Sequence, residues 1–312
     1  MKVPVDRLLS QAKRHAKKGE LAQAAELYRT VLAAFPGNKH AGQGLAALGV
    51  QAPPQAAAMT PLEQEINALN TLYSQRRLDD VVKKATALLE TFPEEIALFN
   101  ILGAAHAGLG RHDDAVESFR RAIAVDANVA EAHFNHGLAL KNRGDLPEAI
   151  ENYRRAIDIR PEYPEAFYNL GIAQKAIGDA TGAIDSYRQA IRINPGYVKA
   201  LHNLGNVLKT MGDFAGALEC YNQEFRIQPN VAELNISMGD TLSELRRYDE
   251  AIDAFERALK IDPENLDAKG QLGATLMHVG KLEEGLALQN EGFGVISFDI
   301  QSGIAIETGN QA

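Results

Sequence analysis

Apolar residues recur at helical spacing along most of the chain, in pairs of short segments separated by a glycine. In the stretch 164–197, the apolar positions that mark a first and then a second helix are Phe167, Leu170, Ile172 and Ala173, followed by Ala183, Ile184, Tyr187, Ala190 and Ile191. Gly178 lies between the two segments and predicts a tight turn, because glycine takes a positive φ without steric cost. The pattern therefore predicts two antiparallel helices.

This pattern repeats every 34 residues. Three consecutive segments, 130–163, 164–197 and 198–231, have the same residue at five small, aromatic or proline positions. In chain order these positions are Gly137, Gly171 and Gly205; Gly144, Gly178 and Gly212; Ala149, Ala183 and Ala217; Tyr153, Tyr187 and Tyr221; and Pro161, Pro195 and Pro229. Segments 96–129, 232–265 and 266–299 continue the repeat with more substitutions, segment 62–95 fits it loosely, and segment 5–38 fits it through Gly19, Ala24, Tyr28 and Pro36. A fixed period of this length indicates a stacked array of similar units.

The outer units depart from the repeat at a few positions. Arg246 replaces a turn glycine, and Gly285 and Gln289 stand where an alanine and an aromatic residue are expected. The second half of segment 266–299 is therefore degenerate in sequence.

The repeat predicts an all-α fold, an α-solenoid of helix-turn-helix units. One helix pair cannot bury its own apolar face, so the stability of such an array comes from contacts between neighbours. Gly171 and Ala183 are small enough for the two helices of a unit to cross closely, and Tyr187 fills the gap towards a neighbour. Pro195 ends the second helix.

These small-residue, aromatic and proline positions resemble those of the tetratricopeptide repeat, or TPR, a helix-turn-helix unit. The resemblance extends from about Val5 to about Gly280, with one break. It implies a right-handed superhelix of antiparallel helix pairs with a concave inner face that binds peptides. It does not imply any one partner.

We divide the chain into four regions. Residues 1–48 form an amino-terminal TPR-like unit and a partial helix, residues 49–61 a linker rich in proline and alanine, residues 62–291 the main array, and residues 292–312 a hairpin or tail. Thr60, Pro61 and Glu63 are typical of a capped helix start, where the main array is expected to begin.

The carboxyl-terminal region changes to an alternation of period two. Ile296, Phe298 and Ile300 alternate with polar residues, and Ser302-Gly303 predicts the turn of a β-hairpin. An isolated hairpin is marginal in water. It would cover the open end of the array, pair with a second chain in a homodimer through the termini, or begin a further domain; we favour the last two.

The candidate binding residues lie on the first helices of the central units. Asn135, Asn169 and Asn203 each precede the small glycine by two residues, so stacked helices would present them as a ladder of amides. An amide offers donors and an acceptor, which suits an extended peptide backbone. The segment HNLGNVLKTMGD (202–213) resembles the superhelix of O-linked N-acetylglucosamine transferases, which implies a peptide-binding role for the three asparagines but no transferase activity. The alternative is that these asparagines serve the fold alone.

Two further ladders share this face. An aromatic ladder consists of Phe134, Tyr168 and His202, and a basic ladder consists of Lys141, Lys175 and Lys209. In the third of these units, Asn206 lies between His202 and Lys209. Aligned lysines suit an acidic peptide or a free carboxylate. The alternative is that they are solvated and oppose the negative pole of the helix dipole.

Composition narrows the classes of partner. Of 312 residues, 46% are hydrophobic and 23% are charged, as is ordinary for a soluble protein. A formal net charge of -9 opposes binding to nucleic acid or an anionic membrane. Cys220 is the only cysteine, which indicates a packed thiol and a reducing compartment. Without a long apolar run or a secretory leader, we expect a cytoplasmic protein.

Catalytic motifs are missing from the sequence. His133 and His136, with Glu131 and His106, could form a metal half-site, but both histidines stand at packing positions of the repeat. There is no glycine-rich phosphate loop, nucleophile elbow or paired-cysteine motif. We therefore expect a scaffold or adaptor for protein–protein interaction, with no catalysis, metal or cofactor. The alternatives are a targeting arm of a glycosyltransferase or sulfotransferase system supplied by another domain or chain and, more distantly, RNA binding.

Overall fold

The computed structural model describes residues 5–34, 38–49, 60–293, 295–299 and 304–308. Seventeen helices run through these ranges: α1 (Val5–Lys17), α2 (Leu21–Ala34), α3 (Lys39–Ala47), α4 (Pro61–Ser74), α5 (Leu78–Thr91), α6 (Ile96–Gly108), α7 (His112–Val125), α8 (Ala130–Arg143), α9 (Leu146–Ile159), α10 (Pro164–Ala176), α11 (Ala180–Ile193), α12 (Val198–Thr210), α13 (Phe214–Ile227), α14 (Ala232–Glu244), α15 (Tyr248–Ile261), α16 (Leu266–His278) and α17 (Leu282–Phe293). The predicted helical solenoid is confirmed.

Two strands follow the last helix. Strands β1 (Val295–Asp299) and β2 (Ile304–Thr308) pair antiparallel, from Val295 opposite Thr308 to Asp299 opposite Ile304. The pairing agrees with the predicted hairpin, whose turn at Ser302-Gly303 lies outside the described residues.

The chain divides into two compact units, residues 1–71 and 72–312. In the first unit, α1, α2 and α3 pack around a core that includes Ala12, Tyr28, Val31 and Leu45. Of the linker predicted at 49–61, residues 50–59 lie outside the described residues.

The predicted cap at the start of α4 is confirmed. The Glu63 N–H donates to Thr60 Oγ1 at 3.2 Å, and the Thr60 N–H donates to Glu63 Oε2 at 2.7 Å. This reciprocal pair satisfies two backbone donors that would otherwise lack a partner.

In the second unit, each 34-residue repeat forms one helix pair, and the pairs follow one another in chain order. The first helices are α6, α8, α10, α12, α14 and α16, and each packs on the second helix that follows it, α7, α9, α11, α13, α15 and α17. Each second helix also packs on the next first helix, so the apolar faces are buried between neighbours.

An aromatic ring over a glycine sets the spacing inside each central helix pair. Tyr187 is fully buried, and a Cβ atom added to Gly171 would lie 2.7 Å from its ring. Tyr153, Tyr221 and Phe255 are buried against the equivalent glycines, Gly137, Gly205 and Gly239. The tyrosine therefore fills the gap inside its own helix pair, and only glycine fits beneath it.

The final pair, α16 and α17, lacks an aromatic ring at the equivalent position but still packs closely. A Cβ atom added to Gly273 would lie 2.5 Å from the Gly285 carbonyl oxygen, so the two backbones are in direct contact. One turn away, a Cβ atom added to Gly292 would lie 2.5 Å from the Gly270 Cα atom, and one added to Gly270 would lie 2.5 Å from the Phe293 ring. The segment that is degenerate in sequence thus forms a full helix, because glycines on α17 let the two backbones touch and the Phe293 ring covers Gly270.

None of the helices in the described ranges is long and apolar enough to cross a membrane.

The turn between α14 and α15 has an arginine where the central units have a glycine, as does the turn between α4 and α5, where Arg76 has a φ of 61°. Gly178 has a φ of 85°, as its predicted turn requires, and Gly212 has 81°. Arg246 stands at the equivalent position with a φ of 57°. A side chain in this left-handed region costs about 1 kcal/mol relative to glycine.

We therefore expect Arg246→Gly to raise the free energy of unfolding by about 0.5–1 kcal/mol, because the strain of the turn is relieved at some cost in unfolded-chain entropy. The reciprocal variant Gly212→Arg should lower it by a similar amount. Urea denaturation followed by circular dichroism measures both. A less stable Arg246→Gly protein would show that the arginine side chain contributes contacts worth more than the strain.

Candidate functional site

The ladder residues share one face of three first helices. We call this the ladder face, and its residues on α8, α10 and α12 are Phe134, Asn135, Lys141, Tyr168, Asn169, Lys175, His202, Asn203, Asn206 and Lys209. All are half-buried except Lys175, which is exposed. The face is therefore accessible in part and packed in part.

Hydrogen bonds join the ladder residues of consecutive units. Lys141 Nζ on α8 donates to Asn169 Oδ1 on α10 at 3.0 Å. Asn203 Nδ2 on α12 donates to Tyr168 Oη on α10 at 3.3 Å. The 34-residue period thus places side chains of neighbouring first helices within bonding distance, as stacking requires.

The three ladder asparagines differ in the hydrogen-bonding capacity that they retain. Within the described residues, the Asn135 side chain makes no hydrogen bond. Asn169 accepts from Lys141 and donates through Nδ2 to the Glu165 carbonyl at 2.9 Å, which leaves one N–H. Asn203 uses one N–H on Tyr168, which leaves its oxygen and the other N–H. Each amide can still bond a ligand, but only Asn135 retains its full capacity.

The aromatic ladder is packed between other rings. Phe134 lies 6.0 Å from Tyr153 and 4.9 Å from Tyr163, between ring centroids. Tyr168 lies in the same way between Tyr187 and Tyr197, at 6.0 and 5.1 Å. These rings stabilise the array as well as lining the face.

Tyr163 and Tyr197, which complete these ring stacks, are not among the predicted site residues. Their separation of one period is the signal that could have identified them. Burial raises the pKa of each phenol to about 12.

The three lysines of the basic ladder have different partners. The Lys141 ammonium bonds only the neutral Asn169 within the described chain, and partial burial lowers its pKa. Lys209 Nζ lies 3.3 Å from Asp240 Oδ2, and burial raises the pKa of that carboxyl. In the part of the chain that the structure describes, Lys175 has no ion pair or side-chain hydrogen bond.

Asn206 has a structural partner. The buried Tyr221 hydroxyl donates to Asn206 Oδ1 at 2.6 Å. The equivalent position is Leu138 in the unit of Tyr153, whose hydroxyl is buried without a partner in the described chain. An unpaired buried hydroxyl is costly, so Asn206 stabilises its unit.

A buried carboxylate pairs with the last member of the aromatic ladder. Glu224 is 4% exposed and stands where Ala156 and Ala190 are found in the two preceding units. Its Oε2 lies 3.1 Å from His202 Nδ1, and this hydrogen bond raises the pKa of the histidine. Glu224 is not among the site residues predicted from the sequence. The signal in the sequence is that two positions of one unit depart from the repeat together: His202 replaces an aromatic residue, and Glu224 replaces an alanine.

The predicted metal half-site is a packed histidine pair. The Nδ1 atoms of His133 and His136 lie 3.2 and 3.1 Å from Asn152 Oδ1, and both histidines are buried. Burial lowers the pKa of His136. The described residues contain no group of three side chains that could hold a metal ion.

The single cysteine, Cys220, is free and buried, and burial raises the pKa of its thiol to about 11. A thiol that stays protonated at neutral pH is a poor nucleophile.

We expect Tyr221→Phe to lower the free energy of unfolding by about 1–2 kcal/mol, because it leaves Asn206 without its partner. The matched variant Tyr153→Phe should be neutral or stabilising, since its hydroxyl is already unpaired. Urea denaturation of the two variants compares them directly. Equal losses would contradict the structural role of Asn206.

The His202–Glu224 pair predicts a pH dependence of stability. A histidine whose pKa is raised on folding contributes stability below its unfolded pKa of about 6.5, and that stability is lost as the pH rises through the folded pKa. As the pH rises through the folded pKa of His202, the free energy of unfolding of wild type should therefore fall by on the order of 1 kcal/mol relative to that of Glu224→Gln.

Denaturation of wild type and Glu224→Gln at a series of pH values gives the required difference. Comparing the two proteins cancels the contributions of His106 and His136. Burial lowers the pKa of both histidines, which makes stability rise with pH at those sites. Parallel curves for the two proteins would contradict the pairing.

Comparison with known proteins agrees with this architecture. Models of the tetratricopeptide repeat match residues 67–132, 137–178, 175–212, 197–264 and 242–291. No curated protein sequence matches this chain.

Solved structures show similar arrays. A MamA protein is 27% identical over 54% of this chain and 92% of its own, with a TM-score of 0.51. YrrB, described as a TPR protein with an unusual peptide-binding site, is 19% identical over 64% of this chain and 98% of its own, with a TM-score of 0.53. The C-terminal part of a TPR repeat-containing protein from Cytophaga hutchinsonii is 14% identical over 72% of this chain and 93% of its own, with a TM-score of 0.62.

The last two likenesses concern the fold alone. With consecutive repeat matches from 67 to 291 and the helix pairs described above, the chain belongs to the tetratricopeptide repeat proteins.

Proposed function

We propose that the ladder face binds an extended segment of another protein, and that this protein is an interaction scaffold or adaptor without catalysis of its own. Asn135, Asn169 and Asn203 carry the proposal, because each retains hydrogen-bonding capacity on the same face of neighbouring helices. TPR proteins are generally non-catalytic interaction modules, and the peptide-binding site named for YrrB supports the same class of function.

The spacing of the ladder suits an extended chain. Packed helices lie on the order of 10 Å apart, and an extended peptide advances about 3.3 Å per residue. Asparagines on consecutive first helices would therefore meet about every third peptide unit. This geometry lets the amides hold the backbone of a segment while its side chains differ.

The expected affinity is modest. A neutral hydrogen bond contributes about 1 kcal/mol net, so three amides supply about 3 of the roughly 8 kcal/mol of a micromolar complex, and ring and charge contacts supply the rest. Because Asn169 and Asn203 are already held by hydrogen bonds to neighbouring first helices, little of their binding energy is lost in ordering the protein.

To test the role of the amides, the triple variant Asn135→Ala, Asn169→Ala and Asn203→Ala should capture at least about tenfold less of the proteins that wild type captures from a lysate of its source cells, because three backbone hydrogen bonds are lost. Quantitative mass spectrometry of both captures measures the loss. Thermal melting by circular dichroism shows whether the variant is folded.

A matched control changes three exposed second-helix residues at the same period, Glu151, Asp185 and Glu219, to Ala. This control should capture the same proteins as wild type. Unchanged capture by a folded asparagine variant would contradict the proposed binding face.

A further inference from the structure

We propose that the bound segment is acidic, and that its carboxylates are held at Lys141, beside Asn169, and at Lys175, and not at Lys209. This inference rests on the proposed function, because it names the chemistry of the partner at the same face. It distinguishes among Lys141, Lys175 and Lys209, which occupy equivalent positions of the repeat.

Lys141 provides the first part of the carboxylate subsite. Its ammonium is half-buried, and within the described chain it bonds only the neutral oxygen of Asn169. Removing a charge from water without a counter-charge is unfavourable, and this desolvation lowers the pKa of Lys141. A carboxylate from a partner would supply the missing charge, in surroundings where its attraction is screened less than at an exposed lysine.

Lys175 provides the second part. It lies on α10, the helix that carries Asn169, and it is exposed without an ion pair in the described chain. Six residues separate Asn169 from Lys175, which is about 9 Å along a helix. The same six residues turn about 120° around the helix axis, so Lys175 holds a second carboxylate of the segment, apart from the one at Lys141.

Acidic residues near the subsite do not fill it. Glu131 forms an ion pair with Arg160, whose guanidinium also lies 4.6 Å from the Tyr163 ring centroid. Glu165 stands ten residues before Lys175, about 15 Å away along α10. The subsite therefore keeps its positive charge.

Lys209 is different because the next unit supplies its counter-charge. Asp240 on α14 lies 3.3 Å from its ammonium, so the charge is already neutralised. After Lys209, the lysine position becomes Ser243. The cationic part of the ladder face is thus confined to α8 and α10.

Charge and shape favour a peptide over a nucleic acid. The chain carries a formal net charge of -9, which repels a polyanion, whereas a segment with a few carboxylates can engage two local lysines. The amides beside the subsite offer donors and acceptors that match a peptide backbone. An acidic protein segment is the ligand that fits both features.

The test uses the full chain and two fluorescein-labelled peptides of about 12 residues, long enough to cross three first helices at about 3.3 Å per residue. One alternates Glu with Ser and the other alternates Gln with Ser. Fluorescence anisotropy should give at least about fivefold tighter binding of the Glu peptide.

The lysine variants locate the subsite. Lys141→Gln and Lys175→Gln should each weaken binding of the Glu peptide about three- to fivefold and leave the Gln peptide unaffected. The matched control Lys209→Gln should change the Glu peptide less than about twofold, because that charge is already paired.

Each contrary outcome overturns a defined part of the proposal. Equal affinities for the two peptides would overturn an acidic partner and leave the proposed function standing. A loss with Lys209→Gln as large as with Lys141→Gln would overturn the location. Failure of wild type to bind either peptide would overturn the inference and count against the proposed binding face itself.

Discussion

The packing of an aromatic ring against a glycine sets the geometry on which the rest of the array depends. Tyr187 over Gly171, and its equivalents in other units, fix the distance between the two helices of a pair. Because the central pairs share this packing, their first helices stack in the same way and bring ladder side chains of neighbouring units into contact. In α16 and α17, glycine against glycine brings the helices even closer, so the last pair is built on a different spacing.

The ladder residues serve the fold and a ligand at the same time. Asn169 links α8 to α10 through Lys141 and still retains an N–H, while Asn206 gives its oxygen to the buried Tyr221 hydroxyl. A residue with all of its groups engaged would stabilise the array but bind nothing. A residue whose side chain makes no hydrogen bond would first have to be ordered when the ligand binds, which costs conformational entropy. Partial engagement fixes the side chain in place and keeps capacity for a partner, which is the preorganisation that favours binding.

The sequence predicted the features that depend on one position or one period. The turn at Gly178, the cap between Thr60 and Glu63, the helix pairs and the strand pairing all follow from local rules. It did not predict features that depend on which side chain stands opposite. The Glu224–His202 pair requires knowing that an alanine position of one helix faces an aromatic position of the other. The close contact of α16 with α17 requires knowing that glycines on both helices coincide.

The differences among the three lysines show how a repeat acquires specificity. The residue 31 positions after each lysine lies on the next first helix, and it is Ile172 for Lys141, Asn206 for Lys175 and Asp240 for Lys209. The apolar group and the amide leave the ammonium groups of Lys141 and Lys175 without a counter-charge, whereas the carboxylate neutralises that of Lys209. The period thus places the charges in a row, but the side chain on the next unit determines which of them can act on a ligand. Specificity in such an array is therefore encoded between units, in pairs of positions that the repeat itself does not reveal.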